Sequence, residues 1–207
     1  MNRIANSIKN RLSLRPPQAE SLNILEDLVD KLPLAKSNDL PALLEKVKSI
    51  YPTCTDFERN FPSICFALAT GVGKTRLMGA FVSYLYLEKG IRNFFILAPN
   101  LTIYNKLIED FSNTTHPKYV FQGIGEFVHN NPVIITGDNY NSIGDLYKED
   151  EIRINVFNIS KINAEVRGGK LPRIKRLSEY LGDSYFNYLS NATFVSSWMR
   201  IPSSNFI

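Results

Sequence analysis

Cysteine and histidine are both scarce in this sequence, with two of each in 207 residues. Cys54 sits in a loop and Cys65 in an apolar run, and neither shows the spacing that a metal site or a disulfide framework requires, which fits a reducing compartment. His116 and His129 lie far apart and outside any nucleophile or metal pattern, so both are expected to be loop residues. Long hydrophobic runs are missing as well. No stretch reaches the ~18 apolar residues of a membrane span, and residues 1–14 are polar and basic without the apolar core of a signal peptide. A soluble, cytoplasmic chain with no membrane partner is the expectation. Neither a period of roughly 20 to 50 residues nor a biased tract is visible, which argues against a solenoid or an array.

What is present belongs to an ordinary globular protein. Hydrophobic residues make up 44% and charged residues 21%, and the length is enough for one substantial domain with its own core, or one domain and part of a second. The net charge of +4 and a pI near 9.0 mildly favour a polyanionic partner such as nucleic acid, without deciding the matter.

Periodicity gives an alternation of helices and strands. Over residues 17–32, Leu22, Leu25, Leu28, Val29 and Leu32 fall at helical spacing, with Glu20 and Asp27 outside and Pro33 as the stop. A second helix is expected over 41–50, started by Pro41 and capped by Asp39. Residues 64–69 are short, apolar on both alternations and followed at once by glycines, which predicts a buried parallel strand. From Lys74 to Lys89 the pattern turns helical and Gly90 supplies the stop. A second buried strand at 94–98 leads through Pro99 and Asn100 into another helix carrying Ile103, Leu107 and Phe111. Two such units in succession imply a parallel sheet flanked by helices, an α/β fold. Further strands are expected at 119–121, 133–136 and 154–159, with a turn at 137–139 where Asp138 serves turn chemistry. The segment 161–176 carries six basic residues against Glu165 alone and reads either as a solvated surface loop, the more common outcome, or as an approach to a phosphate backbone. A helix over 178–189 and a strand opening at 192–195 should follow. The ten tyrosines and thirteen phenylalanines fall mostly at core spacing and are assigned to packing before base stacking.

The chemistry concentrates in Thr70-Gly71-Val72-Gly73-Lys74-Thr75, followed by Arg76. A nucleoside triphosphate presents several negative charges in a small volume, so its site needs clustered donors and little side-chain bulk. Gly71 and Gly73 allow the backbone to turn tightly and aim N–H groups at a phosphate, and a helix starting near Lys74 adds the partial positive charge of its N-terminus. Lys74 would bridge the β- and γ-phosphates and the Thr75 hydroxyl would ligate Mg²⁺, making ATP and Mg²⁺ the expected cofactors. A glycine normally stands five residues before the second loop glycine, and here that position is Leu68.

With the preceding Ala69, this loop resembles the form found in superfamily 2 (DEAD/DEAH-like) helicases, where that first glycine is commonly replaced. Leu14-Arg15-Pro16-Pro17-Gln18 is similar to the glutamine-containing motif of the same superfamily, which implies that Gln18 reads the adenine edge, although Pro-Pro-Gln is also a plain helix start. Residues 95–100 resemble the strand-end segment that contacts the DNA backbone there, which would give Pro99 and Asn100 a nucleic-acid role, or else form an ordinary strand-to-helix loop. Residues 156–163 and 184–189 further resemble the restriction (Res) subunit of type III restriction enzymes. The resemblance implies a RecA-like P-loop NTPase fold, incomplete at the C-terminus, that couples ATP binding and hydrolysis to translocation on double-stranded DNA. It also implies a modification methyltransferase subunit as a second partner.

The resemblance divides the chain into an N-terminal helical segment with the adenine-reading motif (1–62), a first RecA-like domain (63–195) and an aberrant tail (196–207). The family's Asp-Glu box would follow the last strand, where this chain reads Ser196-Ser197-Trp198-Met199-Arg200. With Ser197 encoded TCA and Arg200 encoded AGA or AGG, the shifted frame reads Met-Asp-Glu, so a frameshifted longer gene is the expectation, with little turnover by the chain alone. Two other readings stay open. One is a small P-loop kinase or nucleotide-dependent transferase, which should show an arginine-bearing lid and an acceptor site. The other is a non-catalytic remnant.

Overall fold

The computed structural model describes residues 1–32, 39–57, 62–139, 150–158 and 194–196. Helices α1 (Arg3–Arg11), α2 (Pro16–Lys31) and α3 (Leu40–Ile50) come first, then α4 (Lys74–Lys89). Strand β1 (Asn93–Ala98), helices α5 (Leu101–Ser112) and α6 (Glu126–His129), and strands β2 (Val133–Thr136), β3 (Arg153–Asn158) and β4 (Phe194–Ser196) complete the order. The strands form one parallel sheet in the order β2-β3-β1-β4. Parallel neighbours require crossovers, and α5 provides one by packing on β1, β2 and β3. The α/β class with a parallel sheet and flanking helices is as expected.

Central β3 is buried at every position, whereas β1 alternates between half-buried and buried residues. Three polar side chains, Arg153, Asn155 and Asn158, are buried in β3, and Asn155 is satisfied there by donating from Nδ2 to the Phe94 carbonyl at 2.9 Å. The main core joins Ile96, Ile154 and Val156 of the sheet to Leu107 and Phe111 of α5 and to Leu77, Phe81 and Leu85 of α4. A smaller cluster of Leu28, Leu43, Val47 and Phe57 binds α3 to α2. Local signals act as expected at several ends. Asp39 caps α3 by accepting from the Ala42 N–H at 3.0 Å, Gly90 closes α4 in the left-handed conformation at φ 67°, and Asn139 Oδ1 accepts from Thr136 N in the turn after β2.

Three features depart from the sequence reading. Residues 3–11 form a helix where the sequence shows a polar, basic stretch. Asn2 caps it through the Ala5 N–H at 2.8 Å, and Ala5 and Ile8 are buried. Helix α1 packs on α2 and α4, so a narrow apolar stripe suffices. Residues 64–69 are not a strand. Phe66 and Leu68 reach the main core, and Phe66 packs on Phe81 at 5.0 Å, but Cys65, Ala67 and Ala69 are exposed. A strand exists by pairing, and among the described residues no strand runs alongside this segment; the flank of β1 away from β3 is taken by β4. Residues 119–121 are not a strand either. Tyr119, Val120 and Phe121 are buried at three successive positions, and their amides serve a local turn, Tyr119 N to His116 O at 2.9 Å, and a bond back to α5, Val120 N to Asp110 O at 2.9 Å. Phe121 stacks on Phe127 at 4.1 Å and meets Phe111 edge-on, which replaces a ladder with aromatic packing.

The strand opening expected at 192–195 corresponds to β4, paired to β1 from Asn93↔Phe194 to Phe95↔Ser196. The basic segment 161–176, the helix over 178–189 and the tail from 197 onward lie outside the described residues.

Candidate phosphate site

Residues 70–73 carry the chain from the extended segment into α4. Gly71 and Gly73 adopt φ 81° and 93°, a region that side-chain-bearing residues rarely enter. At Gly73 the fit is also tight, because a Cβ there would meet Gln18 Nε2 at 2.7 Å. Gly73 is the N-cap of α4, and no side chain caps this helix. The N–H groups of its first turn and the positive end of its dipole are therefore not satisfied by a side chain.

The start of α2 braces the loop from behind. Gln18 is 2% exposed and donates from Nε2 to the Gly73 carbonyl at 2.8 Å, while its Oε1 accepts from the Arg15 N–H at 2.8 Å. The Arg15 guanidinium donates to the Gly71 carbonyl at 3.2 Å. Carbonyls that would repel an anion are thereby turned toward α2 and neutralised.

The side chains of the motif then separate. Thr70 and Gly71 are exposed, and Val72 is half-buried. Lys74 makes no hydrogen bond or ion pair to another described residue, so its ammonium is available. The Thr75 hydroxyl accepts from Lys106 Nζ of α5 at 3.4 Å. The Arg76 guanidinium is turned away and donates to the Leu12 carbonyl at 2.8 Å, tying α4 to the end of α1. Asn100 stands at the far end of β1 with its side chain occupied, accepting from the Ile103 N–H at 2.9 Å as the N-cap of α5, and Pro99 precedes it. Gln18, Gly71 and Gly73 thus share one hydrogen-bonded set with Arg15, and Thr75, two residues along the chain, belongs to a second set with Lys106 and Asp110.

Chemically the assembly offers what a polyphosphate requires: uncapped amides, one unengaged ammonium, and a hydroxyl beside it able to ligate a hard cation. Residues 11–189 match the family described as type III restriction enzyme, res subunit. The chain belongs to that family. One curated relative, the probable type III restriction-modification enzyme HindVIP Res subunit of Haemophilus influenzae (strain ATCC 51907 / DSM 11121 / KW20 / Rd), is 39% identical over 64 residues, covering 30% of this chain and 12% of the relative. No solved structure matches.

In this Res-family chain the residues that the sequence reading missed are Arg15, Lys106 and Asp110. Arg15 adjoins the glutamine motif, but only the fold brings it to Gly71. Lys106 and Asp110 stand four apart on α5 and pair at 2.8 Å, a spacing visible in the sequence although nothing there linked it to Thr75. Among the described residues no helix is long and apolar enough to cross a membrane, and no group of three or more His, Cys, Asp or Glu is placed to hold a metal.

Proposed function

We propose that this chain is the ATP-binding part of a helicase-like ATPase of the type III restriction system, with a RecA-like P-loop fold, in which ATP binding and hydrolysis drive movement on double-stranded DNA. The observation that carries the reading is the start of α4, where a left-handed Gly73 leaves the helix uncapped beside an unengaged Lys74 in a chain of the Res family. The loop amides of residues 70–76 would cradle the phosphates, Lys74 would bridge the β- and γ-phosphates, and Thr75 would ligate Mg²⁺, which supplies charge neutralisation there. Arg76 would contribute its backbone N–H, since its side chain is held at Leu12. Gln18 is the proposed contact to the adenine edge by the family resemblance, and at 2% exposed its amide would have to turn out from behind the loop to meet the base. Pro99 and Asn100, at the sheet's C-terminal edge, are the proposed contacts to the DNA backbone. A modification methyltransferase subunit is the protein partner that this reading implies. The family match favours it over a small kinase.

The test is equilibrium binding of Mg·ATP to the purified chain and to Lys74→Ala, with phosphate release followed with and without double-stranded DNA. The wild-type chain should bind and the variant should lose about a hundredfold or more in affinity. Equal affinity in the two proteins would remove the site, and phosphate transfer to a small acceptor would replace the translocase with a kinase.

A further inference from the structure

Two lysines approach the phosphate loop, from different elements. Lys74 belongs to the loop itself, whereas Lys106 reaches it across the packing of α5 on α4. Its ammonium is held on one side by Asp110 Oδ2 at 2.8 Å and lies on the other side 3.4 Å from the Thr75 hydroxyl. The Asp110 side chain is only 2% exposed. Its backbone carbonyl accepts from Val120 N, and its second carboxylate oxygen lies 3.3 Å from His116 Nδ1 without a hydrogen bond. A buried carboxylate is costly unless paired, so the charge of Asp110 strongly favours keeping the Lys106 head where it is. The lysine side chain is still about half exposed, at 47%.

We infer that Lys106 is a terminal-phosphate ligand that Asp110 holds ready against Thr75. The inference rests on the nucleotide-binding reading above and adds which end of the nucleotide this cation serves. In a phosphate loop the hydroxyl after the lysine serves the cation shared by the last two phosphates, so a charge beside Thr75 lies toward the terminal phosphate, and Gln18 lies on the base side by the adenine proposal. Once the Thr75 oxygen engages a bound cation, its contact with Lys106 is lost. The ammonium, still tethered to Asp110, then takes an oxygen of the γ-phosphate in a charge-assisted hydrogen bond. Such a contact exists with ATP and not with ADP, so Lys106 sets the preference between them.

The experiment measures dissociation constants for Mg·ATP and Mg·ADP in the wild-type chain, Lys106→Met, Lys106→Arg and Lys74→Ala, with thermal unfolding of each as a check on folding. Lys106→Met should weaken ATP about tenfold and leave ADP within about twofold, and Lys106→Arg should restore most of the preference. Lys74→Ala should weaken both nucleotides. Equal loss of ATP and ADP in Lys106→Met, or no loss of either, overturns the inference while leaving the nucleotide site intact. A wild-type chain that binds neither nucleotide removes both.

Discussion

The chain passes from extended backbone into a helix at two comparable places, and they are built differently. At 98–101 a paired strand, β1, hands over to α5, and Asn100 closes the helix with its own side chain. At 69–74 a segment with no strand partner among the described residues hands over to α4 through two left-handed glycines, and no side chain closes the helix. A capped N-terminus has satisfied one of its own donors and is a structural joint. An uncapped one, braced from behind by Gln18 and Arg15, keeps its donors for a ligand. The difference favours the second junction as the candidate site, although both read as strand-to-helix turns in sequence.

Substitutions at the two junctions should therefore both cost stability but differ in their effect on nucleotide binding. The larger effect is expected from Gly73→Ala. A Cβ at φ 93° and 2.7 Å from the Gln18 amide should cost about 2 kcal/mol in chemical denaturation and displace the brace, and Mg·ATP affinity should fall by at least about tenfold. Asn100→Ala should cost about 1 kcal/mol through the lost cap and leave Mg·ATP affinity within about twofold. Loss of nucleotide affinity in Asn100→Ala equal to that in Gly73→Ala would erase the distinction.

A smaller effect concerns how α4 is anchored behind its open end. Tyr84, fully buried on this helix, accepts from Asn2 Nδ2 at 3.1 Å, and burial pushes its hydroxyl up to about 12 from an ordinary 10.0. A raised folded value means that this group's contribution is complete below the unfolded value and is lost as pH rises from there through about 12. Stability should decline over that alkaline window, and Tyr84→Phe should flatten the decline while costing about 1 kcal/mol at neutral pH. An unchanged alkaline limb in the variant would place the titration elsewhere.

How much the sequence revealed follows the same division between local and distant causes. Helices α2 to α5 were legible because caps, prolines, Gly90 and apolar spacing act within a few residues. Strands β1, β2 and β3 were legible because their apolar runs are paired, to within a residue at each end. The extended run 64–69 has the composition of a strand, but pairing depends on a neighbour that composition does not reveal. Residues 119–121 mislead similarly, since aromatic side chains buried in a turn have the residue types of a strand. At the site, the motif itself named Gly71, Gly73, Lys74 and Thr75. The brace from Arg15 and the approach of Lys106 arise only when α2 and α5 pack around α4. Packing likewise holds the Arg76 side chain on the Leu12 carbonyl.

The contrast between the junctions can be read amide by amide. In a ¹⁵N-labelled chain titrated with Mg·ATP, the backbone resonances of Gly71, Gly73, Lys74 and Thr75 should move in saturable fashion, while those of Thr102 and Ile103 at the start of α5 stay in place. Stationary signals from residues 71–75, or equal movement at both helix starts, would contradict the assignment of triphosphate binding to the uncapped end of α4.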